Sequence, residues 1–357
     1  MWRIVAAILN LNQKGMENTM SIRKTFTAAI VATVLASVPA FADYKPLKGD
    51  PNEINFGIIS TESTSNLREA WEPFLKDMEK ALRMKVKPFF ASDYAGIIEA
   101  MRFGKVHVAW FGNKSAMEAV DRAGAEVFVQ EIKANGTQGY YSHILTHVDN
   151  KDINSLKDLF AKCNKTLSFG IGDPNSTSGF LVPSYYVFAQ NSVDPKSCFK
   201  SVRNANHETN LMAVAHKQVH AAANNSEQVA RSKKKAPQAA QNIKIIWTSP
   251  LIPADPITYR RDLSKGMKAK IKAFFLGYGR LGPDVEKETA ILNNLGSGGG
   301  GYTDSSNAQL YPIRQLALFK KKLSLLKDKR LDPETRAKRL NDINNKLAEL
   351  KVLTKSM

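Results

Sequence analysis

Gly170-Ile171-Gly172-Asp173-Pro174-Asn175-Ser176-Thr177-Ser178-Gly179-Phe180 follows the β-branched and aromatic run Thr166-Leu167-Ser168-Phe169 and precedes the apolar run from Phe180 to Phe188. The order is strand, polar turn, helix start. The first N–H groups of a helix have no partner within it and carry partial positive charge. With three neighbouring hydroxyls and a permissive glycine they suit a tetrahedral anion. The competing reading is that one hydroxyl merely caps the helix, as Ser and Thr commonly do.

The same alternation runs outward in both directions. Asn55 to Ser60 reads as a buried strand, and Leu67, Trp71, Phe74, Leu75, Met78 and Leu82 fall on one helical face. Val86 to Phe90 is the next strand. Ala91 to Gly96 is a polar turn opening a helix over Ile97–Phe103, and Val106 to Gly112 a third strand. Gly139 to Thr146 is expected to cross into a second domain. That domain holds a short helix over Ser155–Lys162, strands at Phe199–Arg203 and Ile243–Trp247, a helix from Asn206 to Ala215, and a weak strand at Val219–Ala223 ended by Asn224-Asn225-Ser226-Glu227. The proline-rich Pro250 to Pro256 is read as the return crossing. Beyond it lie a helix over Lys265–Gly277, a glycine-rich loop over Gly296–Gly301 and two lysine-rich helices. The last starts at Asp332-Pro333-Glu334, a cap followed by proline. The glycine-rich loop lacks the Gly-Lys-Ser/Thr of a phosphate loop. Such alternation predicts a mostly parallel sheet with helices on both faces, and ligands beyond the carboxyl ends of its strands, where Tyr94, Tyr140 and Ser176 to Ser178 would gather.

The chain of 357 residues carries a formal charge of +18. Met20 to Lys24 is a basic n-region, Phe26 to Val38 an apolar core and Ala40-Phe41-Ala42 a small-x-small cleavage site, so a secretory signal removed after Ala42 is expected. Residues 1–19 read as an upstream extension, and no cysteine stands at the cleavage point to be lipidated. Losing residues 1–42 removes four basic residues and one acid, leaving +15 on 315 residues. The positive charge is spread over helices and runs such as Lys233-Lys234-Lys235, with no nucleic-acid motif, and is read as solvated surface. Cys163 and Cys198 are the two cysteines. In an exported chain they pair or stay free, and sequence leaves both open. No metal-ligand spacing is present, and neither a metal nor a cofactor is expected.

Five stretches together, Phe56 to Ser63, Asp93 to Ile98, Gly172 to Gly179, His207 to Asn210 and Pro312 to Phe319, resemble the phosphonate-binding periplasmic component of an ABC importer. The resemblance runs in order from about Asn55 to about Lys320. It implies a bilobed type II periplasmic-binding-protein fold of α/β class: two mixed sheets flanked by helices, a ligand cleft between lobes, and C-terminal helices. The expected division is 43–142 for the first part of lobe 1, 143–250 for lobe 2, 251–319 for the return to lobe 1 and 320–357 for the C-terminal helices. Carried over residue by residue, the family's contacts to phosphonate oxygens fall on Ser176, Thr177, Ser178 and His207. Its contacts to a ligand amino group fall on Tyr94, Tyr140, Glu227 and Asp255. Hydroxyls and helix N–H groups suit an anion, and two carboxylates with two aromatic rings suit an ammonium. The implied ligand is an aminoalkylphosphonate such as 2-aminoethylphosphonate. The implied partners are a membrane permease with its ATPase, and a second copy through the C-terminal helices, with no nucleic acid.

Each residue has an ordinary alternative: buried tyrosines in a core, solvated loop carboxylates, His207 capping its own helix, Trp110 as lobe packing. His220 stands where the family tends to have aspartate, and 231–235 is more basic than the family pattern. Three other functions remain on the sequence alone. The same fold also serves phosphite or phosphate. Ser176 and His207 are candidates for nucleophile and base of a hydrolase, although no G-x-S-x-G elbow precedes Ser176. A solute sensor feeding a membrane kinase is the third.

Overall fold

A computed structural model describes residues 44–295 and 299–355. The upstream extension, the export signal and its cleavage point lie outside the described residues, as do 296–298 of the glycine-rich loop. Two sheets carry the chain, each flanked by helices.

The first sheet begins with β1 (Glu53–Ile58), whose alternate residues Ile54, Phe56 and Ile58 are fully buried. Helix Thr64–Leu82 follows, opened by Ser63, whose side chain accepts from Asn66 N–H, and it buries Leu67, Trp71, Phe74, Leu75 and Met78. Crossover through that helix returns the chain as β2 (Lys85–Phe90) parallel to β1, and helix Tyr94–Arg102 returns it again as β3 (Val108–Trp110) on β1's other side. Helix Asn113–Arg122 and β4 (Ala125–Glu131) come next. The short β5 (Gly139–Tyr140) then leads into the second sheet, which takes β6 (Ser142–His147), β7 (Ser168–Ile171), β8 (Ser201–Asn204), β9 (Ala221–Asn225) and β10 (Ile243–Thr248). Its spatial order is β10-β6-β9-β7-β8. The chain returns through β11 (Ile252–Pro253), which pairs antiparallel with β5, so the two crossings hold one another. Strand β12 (Pro256–Arg260) inserts between β3 and β4, antiparallel to both, and β13 (Tyr302–Asp304) closes the edge.

Alternation alone predicts mostly parallel sheets, and the structure has mixed ones. A strand re-entering from the other lobe arrives from the ligand end, so β12 runs against its neighbours. In the second sheet β6 is antiparallel to both β9 and β10, whereas β7 is parallel to both β8 and β9.

Local expectations are corrected at several ends. The helix expected from Ile97 begins at Tyr94, and the weak strand expected at Val219–Ala223 is β9 shifted to Ala221–Asn225. The segment after the polar turn is helical from Thr177 through Ala189, with π-type turns over Thr177–Leu181 and Pro183–Ala189. Pro183 lacks the N–H that an α-helical ladder needs inside the segment, and looser turns follow where that ladder is interrupted. Gly172 and Gly179 let the segment start hard against β7. Gly172 N donates to Gly179 O at 2.8 Å, and a Cβ on Gly172 would stand 2.6 Å from Gly179 Cα.

Helix Tyr311–Lys327 packs on the Pro183–Ala189 turns and on helix Pro333–Lys355. Ile343, Leu350 and Leu325 are buried within the chain, while Leu326 and Val352 are exposed. Part of the apolar surface of these helices is thus used internally.

Cys163 and Cys198 form a disulfide, resolving what the sequence leaves open. It ties the segment just after helix Leu156–Ala161 to the last residue of the short helix Pro195–Cys198 that precedes β8, across 35 residues, with Cys198 buried beside Phe199 in the second core. Closing a loop of that length restricts the unfolded chain. Converting both cysteines to serine is expected to lower unfolding free energy by about 2–4 kcal/mol. Urea denaturation of the double variant against the oxidised protein checks this, and equal midpoints would contradict it.

Candidate functional site

Five helices point their N-termini at one cavity. Tyr94 is the first residue of its helix, behind the cap Asp93, whose side chain accepts from Gly96 N–H. Thr177 and Ser178 are the first two residues of theirs, behind Ser176. His207 is first in helix His207–Ala215, behind Asn206, and Glu227 second in helix Ser226–Lys235, behind Asn225. The fifth, Asn113–Arg122, is capped by Gly112, which has no side chain to close it. Tyr140 and Asp255 come from the crossings, in β5 and just before β12. All eight candidate residues line this cavity, together with Thr61, Trp110, Asn225 and Arg231.

The anion half lies at the turn with which the sequence reading begins. Ser176 Oγ accepts from Gly179 N–H at 3.0 Å, so the capping reading is correct for that residue and does not compete with a ligand role. Thr177 Oγ1 accepts from Lys114 N–H at 2.8 Å, and Ser178 Oγ from Asn225 Nδ2 at 3.3 Å. A hydroxyl that accepts one bond still has its own proton to give, so the three face the cavity as donors. His207 Nε2 lies 3.5 Å from both Ser176 Oγ and Ser178 Oγ, and its Nδ1 is buried without a partner. Burial, with Arg231 nearby, lowers its pKa to about 3, so the ring is neutral and donates through one nitrogen.

The opposite half is acidic. Burial raises Glu227, and burial with the charge of Glu227 pushes Asp255 well above the carboxylate range. Glu131 at the end of β4, absent from the sequence reading, is the third buried acid, raised by burial and by Glu227 and Asp255. Its N–H donates to Asp255 O at 3.0 Å. The Tyr140 hydroxyl lies beside the Asp255 carboxyl, whose Oδ1 is buried without a partner. Tyr94 and Tyr140 are both buried with their pKa raised, first by burial and then by neighbouring carboxylates. Burial and mutual repulsion hold these carboxyls toward their neutral forms, and a cation brought among them would favour their ionised forms, so this half suits a cation.

One expectation from the sequence holds and is extended, and one is revised. Trp110 packs on Trp71, ring centroids 5.4 Å apart, and also lines the cavity. Arg231, read with the lysines after it as a basic surface run, is largely buried and pairs with Glu62 at 2.6 Å. That pair joins the two lobes at the cleft rim. Glu208 joins them too, accepting from Ser63 N–H at 2.8 Å and Asn66 Nδ2 at 2.7 Å. Deeper in, Tyr94 N donates to Asp173 Oδ2 at 3.2 Å and His207 N to Thr61 O at 3.1 Å. The lobes are closed on one another.

Comparison with known proteins follows the same line. Residues 56–310 match the family described as ABC transporter, phosphonate, periplasmic substrate-binding protein. The chain is 48 % identical over 332 residues to the phosphonates-binding periplasmic protein of Escherichia coli, covering 93 % of this chain and 94 % of that one. It is 30 % identical to the phosphate-import protein PhnD of Mycolicibacterium smegmatis, over 71 % of this chain and 81 % of that one. Among solved structures, a binding protein component of an ABC phosphonate transporter from Pseudomonas aeruginosa superposes with a TM-score of 0.81 at 47 % identity, covering 86 % of this chain and 99 % of that one.

Two outcomes follow from the geometry. A carboxyl whose folded pKa is raised stabilises the fold most when protonated, and that contribution is lost as pH rises through the folded value. Ligand-free Glu227→Gln is therefore expected to melt above the wild type at pH 7–8, with the gap closing below about pH 4, where Glu227 is protonated folded or unfolded. Melting curves across pH check it, and a gap that widens in acid would contradict it. Glu208→Ala removes two cross-lobe acceptors without touching the cavity, and is expected to weaken every ligand by the same factor, about fivefold per hydrogen bond of about 1 kcal/mol. Weakening confined to one ligand would instead put Glu208 in contact with it.

Proposed function

The chain belongs to the family of periplasmic substrate-binding proteins of phosphonate ABC transporters, and from that premise we propose that its ligand is a zwitterionic aminoalkylphosphonate, 2-aminoethylphosphonate first. The family binds substrates for an importer, in the periplasm, and is not a family of enzymes. Its members work with a membrane permease and ATPase, and this chain hands its ligand to such a pair.

The observation that carries the proposal is the division of one cavity into a donor half and a carboxylate half. Helix N–H groups with the hydroxyls of Ser176, Thr177 and Ser178 and the neutral ring of His207 hold the phosphonate. Glu227 and Asp255, with Tyr94 and Tyr140 beside them, hold the ammonium. Phosphate or phosphite satisfies the first half and leaves the second as unneutralised buried acid. Closure then needs no chemistry: a ligand touching both lobes favours the closed form that the permease reads, and the excluded water strengthens each charged contact. Export through a signal removed after Ala42 belongs to the same reading.

Isothermal titration of the protein from Asp43 onward with 2-aminoethylphosphonate, methylphosphonate, phosphate and phosphite tests it. The aminophosphonate is expected to bind tightest. Glu227→Ala and Asp255→Ala are each expected to cost it about 1.5–3 kcal/mol, as for a hydrogen bond to a charged group, and to leave methylphosphonate unchanged or tighter. Equal loss for both ligands, or a wild type that prefers phosphate, would refute the assignment.

A further inference from the structure

The anion contacts assigned so far all belong to the second lobe, yet the first lobe aims two unpaired groups at the same cavity. Trp110 Nε1 and Thr61 Oγ1 are buried with no hydrogen-bond partner, on residues only 5 % exposed. Both residues line the cavity. Buried polar groups are seldom left unmatched, and those that are ask for an explanation in a ligand or a water.

The chemistry of each group says which end of the ligand it meets. An indole N–H only donates, so an ammonium and a methylene chain offer it nothing, whereas phosphonate oxygens do. Asp255 Oδ1 is an unpaired acceptor in the same cavity, and with the lobes closed the indole has not paired with it. Thr61 sits at the anion end, because its carbonyl accepts the His207 N–H at 3.1 Å. Between these groups Gly112 keeps the wall bare: a Cβ there would stand 3.3 Å from Thr177 Oγ1 and 3.8 Å from Asp255 Oδ1. It also leaves the start of helix Asn113–Arg122 without a side-chain cap. The ring of Trp110 is held against Trp71, which fixes where its N–H points.

We propose that the Trp110 Nε1–H and the Thr61 hydroxyl donate to the ligand's phosphonate oxygens, so that the anion is gripped from both lobes and not from the second alone. The inference rests on the phosphonate-type anion of the preceding section and adds the groups by which binding it draws the first lobe shut.

Trp110→Phe keeps a ring against Trp71 and removes the N–H; Thr61→Val keeps the shape and the carbonyl and removes the hydroxyl. Each is expected to weaken 2-aminoethylphosphonate and methylphosphonate alike by roughly tenfold, the usual scale for a hydrogen bond to a charged group. Without ligand Thr61→Val should melt no lower than the wild type, since the hydroxyl it removes has no partner, whereas the volume lost in Trp110→Phe lowers melting without bearing on the wild-type resonance. In ¹⁵N-labelled protein the Trp110 indole N–H resonance, assigned by its loss in Trp110→Phe, should move downfield on adding methylphosphonate. That measurement needs no variant to bind. Affinities within twofold of the wild type, a loss confined to the aminated ligand, or an indole resonance that stays put would each overturn the proposal. If the wild type takes phosphate in preference to any aminophosphonate, the zwitterion reading fails, yet the same variants titrated with phosphate still decide the two-lobe grip.

Discussion

A buried polar group without a partner costs free energy, and among the described residues four such groups border one space. Thr61 Oγ1, Trp110 Nε1, His207 Nδ1 and Asp255 Oδ1 all border it, and Glu227 and Asp255 line its acidic half with Glu131 close by. Other demanding groups are paired within the fold: Arg260 is fully buried and bonded to Asp262, Met101 O and Lys45 O, although Tyr302 Oη is buried without a partner away from the cavity. The cavity is thus one place, and the one where several such groups meet, at which folding leaves polar groups for something else to complete. Its two halves differ in sign, and a ligand must match both to relieve both.

The topology makes such a site almost unavoidable. Parallel strands deliver their carboxyl ends, and the helix starts that follow them, to one edge of each sheet. Two sheets joined by two paired crossings turn those edges toward each other, and five helix N-termini then share one space. Each supplies positive potential, which alone would favour any small anion. The acids at Glu227, Asp255 and Glu131 oppose that potential on one side. Selectivity within such a scaffold comes from where the acids sit, since the helix ends are fixed by the fold.

How much of this is legible in sequence depends on whether a residue's task is local. The Ser176 to Gly179 turn announces itself because capping and anion binding use the same residue types at the same spacing. The Trp71 helix is legible from its apolar face. The π-type turns after Thr177 are not, because apolar periodicity does not distinguish them from an α-helix over so short a run. Helix Asn113–Arg122 has no capping side chain at Gly112 and so lacks a start signal. Arg231 is hidden in a run of lysines, and only the other lobe's Glu62 makes it a clasp. Glu131 acquires meaning solely from Asp255 on the neighbouring crossing and from Glu227, whose positions no local pattern encodes. Trp110 reads as lobe packing, and its contact with Trp71 bears that out, while its place in the cavity wall depends on the tertiary fold and no local pattern encodes it.

The hydrolase alternative fails on the physical state of its own two residues. A general base for a serine works best with a pKa near the operating pH, and His207 is lowered to about 3 by burial and by Arg231. Its Nε2 stands 3.5 Å from Ser176 Oγ, at the edge of hydrogen bonding. Drawing the serine proton to His207 would create a buried imidazolium in a wall kept neutral by its surroundings. The property that disables catalysis is compatible with the proposed binding role: a ring that stays uncharged still offers one N–H to an anion.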